Sequence, residues 1–170
     1  MTTDYASQID KASRAKNLEE ARALALQWTH EDGGSPKAWS KLAYVYELKR
    51  DFGSAAASIR KALKLAPRNP SYLFKAGVFE YRRATFESAS DEFGRCVRVS
   101  IELNDGYYLD AAKIAQARCL IALGRSGQVA DLLVDVSDDA ATWLDGRITA
   151  QAVRRMVKNP STVFRMSGKV

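Results

Sequence analysis

The stretch PKAWSKLAYVYELKRDFGSAAASIRKALKLAPRN, residues 36–69, decides how this chain folds. Pro36 suits the first position of a helix, where a missing N–H costs nothing. Behind it, Trp39, Leu42, Ala43 and Tyr46 recur at i, i+3, i+4 and i+7, which is one helical face. Lys49-Arg50-Asp51 closes that helix with a short polar turn. Phe52, Ala55, Ile59, Ala62 and Leu63 then form the apolar stripe of a second helix, which Pro67 ends. Ala43 and Ala55 are small where two antiparallel helices must cross closely, and larger side chains there would push the pair apart.

The unit recurs. A shift of 34 residues places Pro36 on Pro70, Leu42 on Ala76, Ala43 on Gly77, Phe52 on Phe86, Ala55 on Ala89, Ile59 on Phe93 and Ala62 on Cys96. Shifted the other way, Leu18 meets Phe52, Ala21 meets Ala55, Ala25 meets Ile59 and Trp28 meets Ala62. Large and small residues trade places, as a repacked core allows. Trp39, Leu42, Ala43, Tyr46, Phe52, Ala55, Ile59, Ala62 and Pro67 resemble the signature of the tetratricopeptide repeat family, in the style of a small stand-alone bacterial protein. In the second unit Leu73, Ala76, Gly77, Phe86, Ala89 and Phe93 fit the pattern. Glu80 stands where an aromatic is usual, and Ile101 replaces the terminal proline.

The resemblance implies an all-α, right-handed solenoid of antiparallel helical hairpins, with about three to four repeats and a C-terminal capping helix. The expected hairpins cover 3–30, 36–69, 70–103 and 107–135 within a single domain over 1–158. In the last hairpin Ala117, Leu120 and Leu123 belong to the first helix, and Val129, Leu132 and Leu133 to the second. A helical cap over 138–158 is expected to contain Trp143, Leu144, Ile148, Val153 and Met156. Residues 159–170 are expected to form a disordered basic tail.

Composition bounds the function. At 170 residues, 46% hydrophobic and 27% charged, the chain suits one ordinary globular domain. No secretory signal is evident at the N-terminus, and no stretch approaches the roughly 18 apolar residues of a membrane span. A cytoplasmic location is expected. Cys96 and Cys119 sit in apolar helical contexts and read as small buried hydrophobes. The net charge of +6 equals the basic residues after Asp145, namely Arg147, Arg154, Arg155, Lys158, Arg165 and Lys169, so the body before them is balanced.

Little points to catalysis. His30, the sole histidine, reads as a solvated residue at a helix C-terminus. There is no Cys-x-x-Cys, no histidine cluster and no glycine-rich phosphate loop, so neither enzyme activity, metal nor cofactor is expected.

The resemblance also implies that the first helix of each pair lines a concave groove. The residues placed there are Lys37, Lys41, Tyr44, Phe74, Lys75, Val78, Tyr81, Arg82 and Arg118, with Ser40, Ser71, Ile114 and Ile121 beside them. Such a mixture of cations and apolar groups suits a protein or peptide carrying acidic and hydrophobic residues. It is equally compatible with apolar residues that pack on the next hairpin beside solvated lysines. Some family members clamp a chaperone's C-terminal carboxylate. Lys37 and Lys41 look like half of that arrangement, but Ser7 stands in the asparagine's place, so a clamp is not expected. The expected function is a non-enzymatic interaction adaptor or scaffold, with a small chaperone and an immunity-type protein as its two settings. The alternative is a nucleic-acid-associated module that uses the basic C-terminal segment.

Overall fold

The computed structural model describes residues 4–159. Arg165 and Lys169, with most of the expected tail, lie outside the described residues. Six helices come in three pairs: α1 (Tyr5–Arg14) with α2 (Leu18–Glu31), α3 (Pro36–Leu48) with α4 (Phe52–Leu65), and α5 (Pro70–Arg82) with α6 (Phe86–Glu102). Helix α7 (Leu109–Ala122) comes next, and each of these helices packs on its neighbour in order. Asp4, Asn17, Ser35, Asp51 and Asn69 cap the helices that start just after them, each accepting the N–H three residues on.

The turn inside each pair is built the same way three times. Lys16, Arg50 and Ala84 take left-handed φ of 59°, 60° and 60°. The next amide then reaches back to close the helix: Asn17 N to Ala12 O at 2.9 Å, Asp51 N to Tyr46 O at 2.9 Å, Thr85 N to Glu80 O at 3.0 Å. This Schellman-type closure ordinarily favours glycine. None of the three residues is one; Asn17 and Asp51 cap the next helix directly after the first two, whereas the Thr85 hydroxyl turns back to Glu80.

Helix crossings show where the size trading leads. Ile9 with Ala25, Ala43 with Ile59, and Gly77 with Phe93 occupy equivalent positions, and Ile9, Ala25, Ala43, Ile59 and Phe93 are fully buried. At the third crossing the ring is so close that a Cβ on Gly77 would lie 2.6 Å from Phe93 Cδ1 and Cε1. One small and one large side chain fill each crossing; the large one is on the first helix in the first pair and on the second helix in the other two.

Glu80, in the aromatic's place, is buried and pins three elements together. Its carboxylate pairs with Arg60 of α4 and with Arg83 at 2.9 Å, and the Thr85 hydroxyl lies 2.6 Å away. Both thiols are buried and free. Burial pushes Cys96 up to about 11 and Cys119 up to about 12, so neither is nucleophilic at neutral pH.

The C-terminal third departs from expectation. After α7 the second helix of a fourth pair shrinks to a 3-10 turn (Ser126–Gln128) and a single α-turn, α8 (Val129–Leu132). Val134, Asp135, Val136, Ser137, Asp138 and Asp139 come after it, all of modest helix propensity. The continuous helix expected over 138–158 is also replaced at its start. Residues 141–149 form a hairpin of β1 (Ala141–Trp143) and β2 (Arg147–Thr149), antiparallel with Thr142 opposite Ile148. Only α9 (Ala150–Lys158), capped by Thr149, is helical there. The run Ala141-Thr-Trp-Leu-Asp-Gly-Arg-Ile-Thr149 alternates β-formers around an Asp-Gly turn, a hairpin pattern that helical periodicity hides.

Helix α7 consequently buries apolar side chains on two sides. Ile114, Ala117, Leu120 and Ile121 pack with Val129, Leu133, Val153 and Met156, while Ala112, Ala115 and Cys119 join the main core. Lys113 donates to both Asp135 oxygens at 2.6 and 2.7 Å. Arg154 donates to the carbonyls of Leu133 and Val136 at 2.6 and 2.7 Å and pairs with Asp138. The two Arg154 bonds to backbone satisfy carbonyls that a continuing helix would have used.

The Gly77–Phe93 contact is directly testable. Gly77→Ala should lower unfolding free energy by about 1–3 kcal/mol through overpacking, despite alanine's better helix propensity. Adding Phe93→Ile, which recreates the Ala43–Ile59 combination, should recover most of the loss in chemical denaturation. A neutral Gly77→Ala would mean that the ring yields freely.

Candidate groove site

The odd-numbered helices lie side by side, and polar contacts step from each to the next. Between α1 and α3, Lys41 Nζ lies 2.5 Å from Asp10 Oδ1 and 5.8 Å from the centre of the Tyr44 ring. Between α3 and α5, Lys75 Nζ donates to Ser40 Oγ at 3.3 Å. Between α5 and α7, Arg118 donates to the Tyr81 hydroxyl at 3.3 Å. The helical period that puts Lys37, Lys41 and Tyr44 on one face of α3 also puts Glu47 there, one turn on.

Glu47 and Lys75 form the electrostatic centre of this face. Burial raises the Glu47 carboxyl above its ordinary value, with Arg82 and then Lys75 opposing the shift. Burial also lowers Lys75, opposed by Glu47, while Lys41 adds to the lowering. Among the described residues no carboxylate oxygen lies within ion-pairing distance of Lys75 Nζ, and its hydrogen bond goes to a neutral hydroxyl. A partly desolvated ammonium without a paired anion costs stability.

The expected groove residues divide in two. Lys37 is exposed, and Lys41, Tyr44 and Lys75 are half-buried toward α1 and α3. Phe74 packs instead on Phe93 and Tyr108, with ring centres 5.6 and 5.2 Å apart. Val78 and Tyr81 are buried in the cluster that contains Leu144 and is flanked by Ile148, and burial raises the Tyr81 phenol. Arg82 donates to the Leu144 carbonyl, places Nε 3.7 Å from Asp145 Oδ1 and stacks over Phe52 at 5.2 Å. The chain's own hairpin therefore covers the α5–α7 end of the face. Ile114 and Ile121 lie beneath the C-terminal cap, because the absent fourth-pair helix leaves α7 to be covered by α8 and α9.

The basic segment is likewise divided. Arg154 points inward to backbone carbonyls, whereas Arg147, Arg155 and Lys158 are on the surface side of the cap. His30 is exposed in the last turn of α2. Among the described residues no group of three or more His, Cys, Asp or Glu could hold a metal ion, and no helix is long and apolar enough to cross a membrane.

This stacking of helical pairs is found in known structures. The chain superposes on the Sgt2 TPR domain from Aspergillus fumigatus with a TM-score of 0.62 at 21% identity, over 81% of this chain and 88% of that one. The fold is that of a tetratricopeptide repeat domain. BtubC (BKLC) from P. vanneervenii matches with a TM-score of 0.68 at 16% identity, over 91% of this chain and 63% of that one. PilF of Pseudomonas aeruginosa matches with a TM-score of 0.50 at 18% identity, over 78% and 75% of the two chains. No family model matches the sequence, and no curated protein matches it.

The Glu47 environment predicts a signed pH effect. Its folded value is raised, so its contribution to stability is fully present below the ordinary glutamate value and is lost as pH rises through the folded value. Glu47→Gln removes that dependence. Its stability relative to wild type should grow over that rise, read by thermal melts at several pH values; a constant difference would refute the assignment.

Proposed function

We propose that this protein is a non-enzymatic adaptor of the tetratricopeptide type. It takes a protein or peptide with acidic and hydrophobic residues on the open end of its groove, through Lys37, Lys41, Tyr44 and Lys75. The observation that carries the reading is Lys75, held half-buried without a paired carboxylate. A residue that lowers stability on a face otherwise tied together by hydrogen bonds suits a role in binding. An acidic group on the partner would supply a carboxylate at ion-pairing distance, which Glu47, acting on Lys75 without direct contact, does not, and Lys37 would steer its approach. A holding chaperone and an immunity-type protein would both use such a face, in a reducing compartment such as the cytoplasm that keeps Cys96 and Cys119 as thiols.

The nucleic-acid reading draws no comparable support. Arg154 is committed to Asp138 and two backbone carbonyls, which leaves Arg147, Arg155 and Lys158 as dispersed surface charges among the described residues.

Lys75→Met separates binding from stability. It should leave the melting temperature unchanged or raise it, because it removes a desolvated charge. Combined with Lys37→Glu, it should weaken a partner purified with the protein by about tenfold or more, a loss of roughly 1.4 kcal/mol, measured by calorimetry. Lys41 is less informative, since reversing it also breaks its contact with Asp10. Unchanged affinity in the folded double variant would overturn the reading.

A further inference from the structure

We infer that the α5–α7 end of the groove is a second recognition site, specific for a short aliphatic–acidic segment. In this structure the chain's own Leu144-Asp145-Gly146 turn fills it as a pseudo-ligand that a partner segment of the same chemistry must displace. The inference rests on the groove reading proposed for Lys37 and Lys75 and adds to it a ligand pattern and a regulatory step.

The first observation is where the turn lies. A hairpin of two three-residue strands has little stability of its own in water. Loop tips are normally solvated, yet Leu144 is only 3% exposed and sits in the main core cluster with Tyr81 and Cys119. Asp145 beside it remains 70% exposed, with Oδ1 3.7 Å from Arg82 Nε, and Arg82 also donates to the Leu144 carbonyl. One guanidinium thus reads a backbone carbonyl and the next carboxylate, much as it would read a bound peptide.

The second observation is that this occupant fits imperfectly. Arg82 Nε, Arg118 Nη1 and Thr142 Oγ1 are buried side-chain atoms with no hydrogen-bond partner. Arg82 and Arg118 belong to α5 and α7, and Thr142 to the β1 strand that packs on α7. Buried donors left unmade cost free energy, so a segment with a better-placed carboxylate would gain what the hairpin forgoes. Arg118 occupies the position that Tyr44 and Val78 hold in the preceding pairs, allowing for the six extra residues before α7, so the filled site continues the groove face.

The third observation concerns anchoring. The base of the hairpin is held by bonds separate from the tip: Ala150 N to Ala140 O at 2.9 Å, Gln151 N to Asp138 O at 3.0 Å, and Arg154 to the Leu133 and Val136 carbonyls. The tip can therefore leave the groove while α9 stays on α7. Trp143 and Arg147, paired across the strands and both exposed, would move with it.

A labelled peptide of residues 140–149 tests this in trans, by fluorescence anisotropy against the full chain. The wild type, already filled, should bind it weakly. Leu144→Ala with Asp145→Ala should bind about tenfold or more tighter, as the competent fraction rises. Adding Arg82→Gln should abolish that gain. Equal binding to wild type and folded double variant would overturn the inference. Hydrogen exchange on the unaltered chain gives an independent reading should the variant not fold. Amides of 142–148 should exchange roughly 100-fold faster or more than those of 115–120 in α7, through local opening, and exchange at one common rate would overturn it. Lys37→Glu with Lys75→Met should leave peptide binding unchanged, so failure at the open end of the groove is distinguishable from failure here.

Discussion

The close crossing inside each helical pair is the constraint on which the remaining structure depends. Two antiparallel helices can approach only as far as the side chains between them allow, and each pair here fills that space with one small and one large residue. At Gly77 the limit has been reached: the Phe93 ring occupies the volume a Cβ would need. The large member sits on the first helix in the first pair and on the second helix in the next two, so the crossing stays filled while its composition changes. The repeated left-handed residue at Lys16, Arg50 and Ala84 then turns the chain back with the same local backbone geometry each time. With pair geometry repeated, the odd-numbered helices come into register, and contacts such as Lys41 with Asp10 and Lys75 with Ser40 become possible.

A stack of this kind must end, and its ends shape its surface. The last odd helix of the stack, α7, would expose an apolar flank if left uncovered, because no full partner helix is supplied. The chain solves this with unlike pieces: a single helical turn, a short β-hairpin and α9. Lys113, Asp135 and Arg154 satisfy the backbone and charge of the irregular stretch between them. Closing the end in this way spreads the hairpin over part of the groove face, so one end of that face is open and cationic while the other is already filled.

Much of the candidate site could be read from helical periodicity, because groove and core positions on one helix differ only in phase. That phase places Lys37, Lys41, Tyr44 and Lys75 on one face, and one more turn would have added Glu47. Asp10 was visible as a residue but not as a counter-ion, since its pairing with Lys41 joins helices that are not consecutive. The covering of Val78, Tyr81 and Arg82 has no local signal, because it comes from a segment more than 60 residues away in the chain.

By itself the sequence determined the paired helices and the 34-residue register, since these come from local propensity and from apolar spacing within a turn or two. It also determined that the two thiols would be buried and that the one histidine would be a solvated helix end. Only the tertiary structure decided how the solenoid closes and which part of its groove remains open. The physical reason is that residues 141–149 carry weak and conflicting local signals. Their conformation is set by the surface they meet, namely the apolar flank of α7 and the guanidinium of Arg82, and that surface exists only once the preceding pairs have stacked.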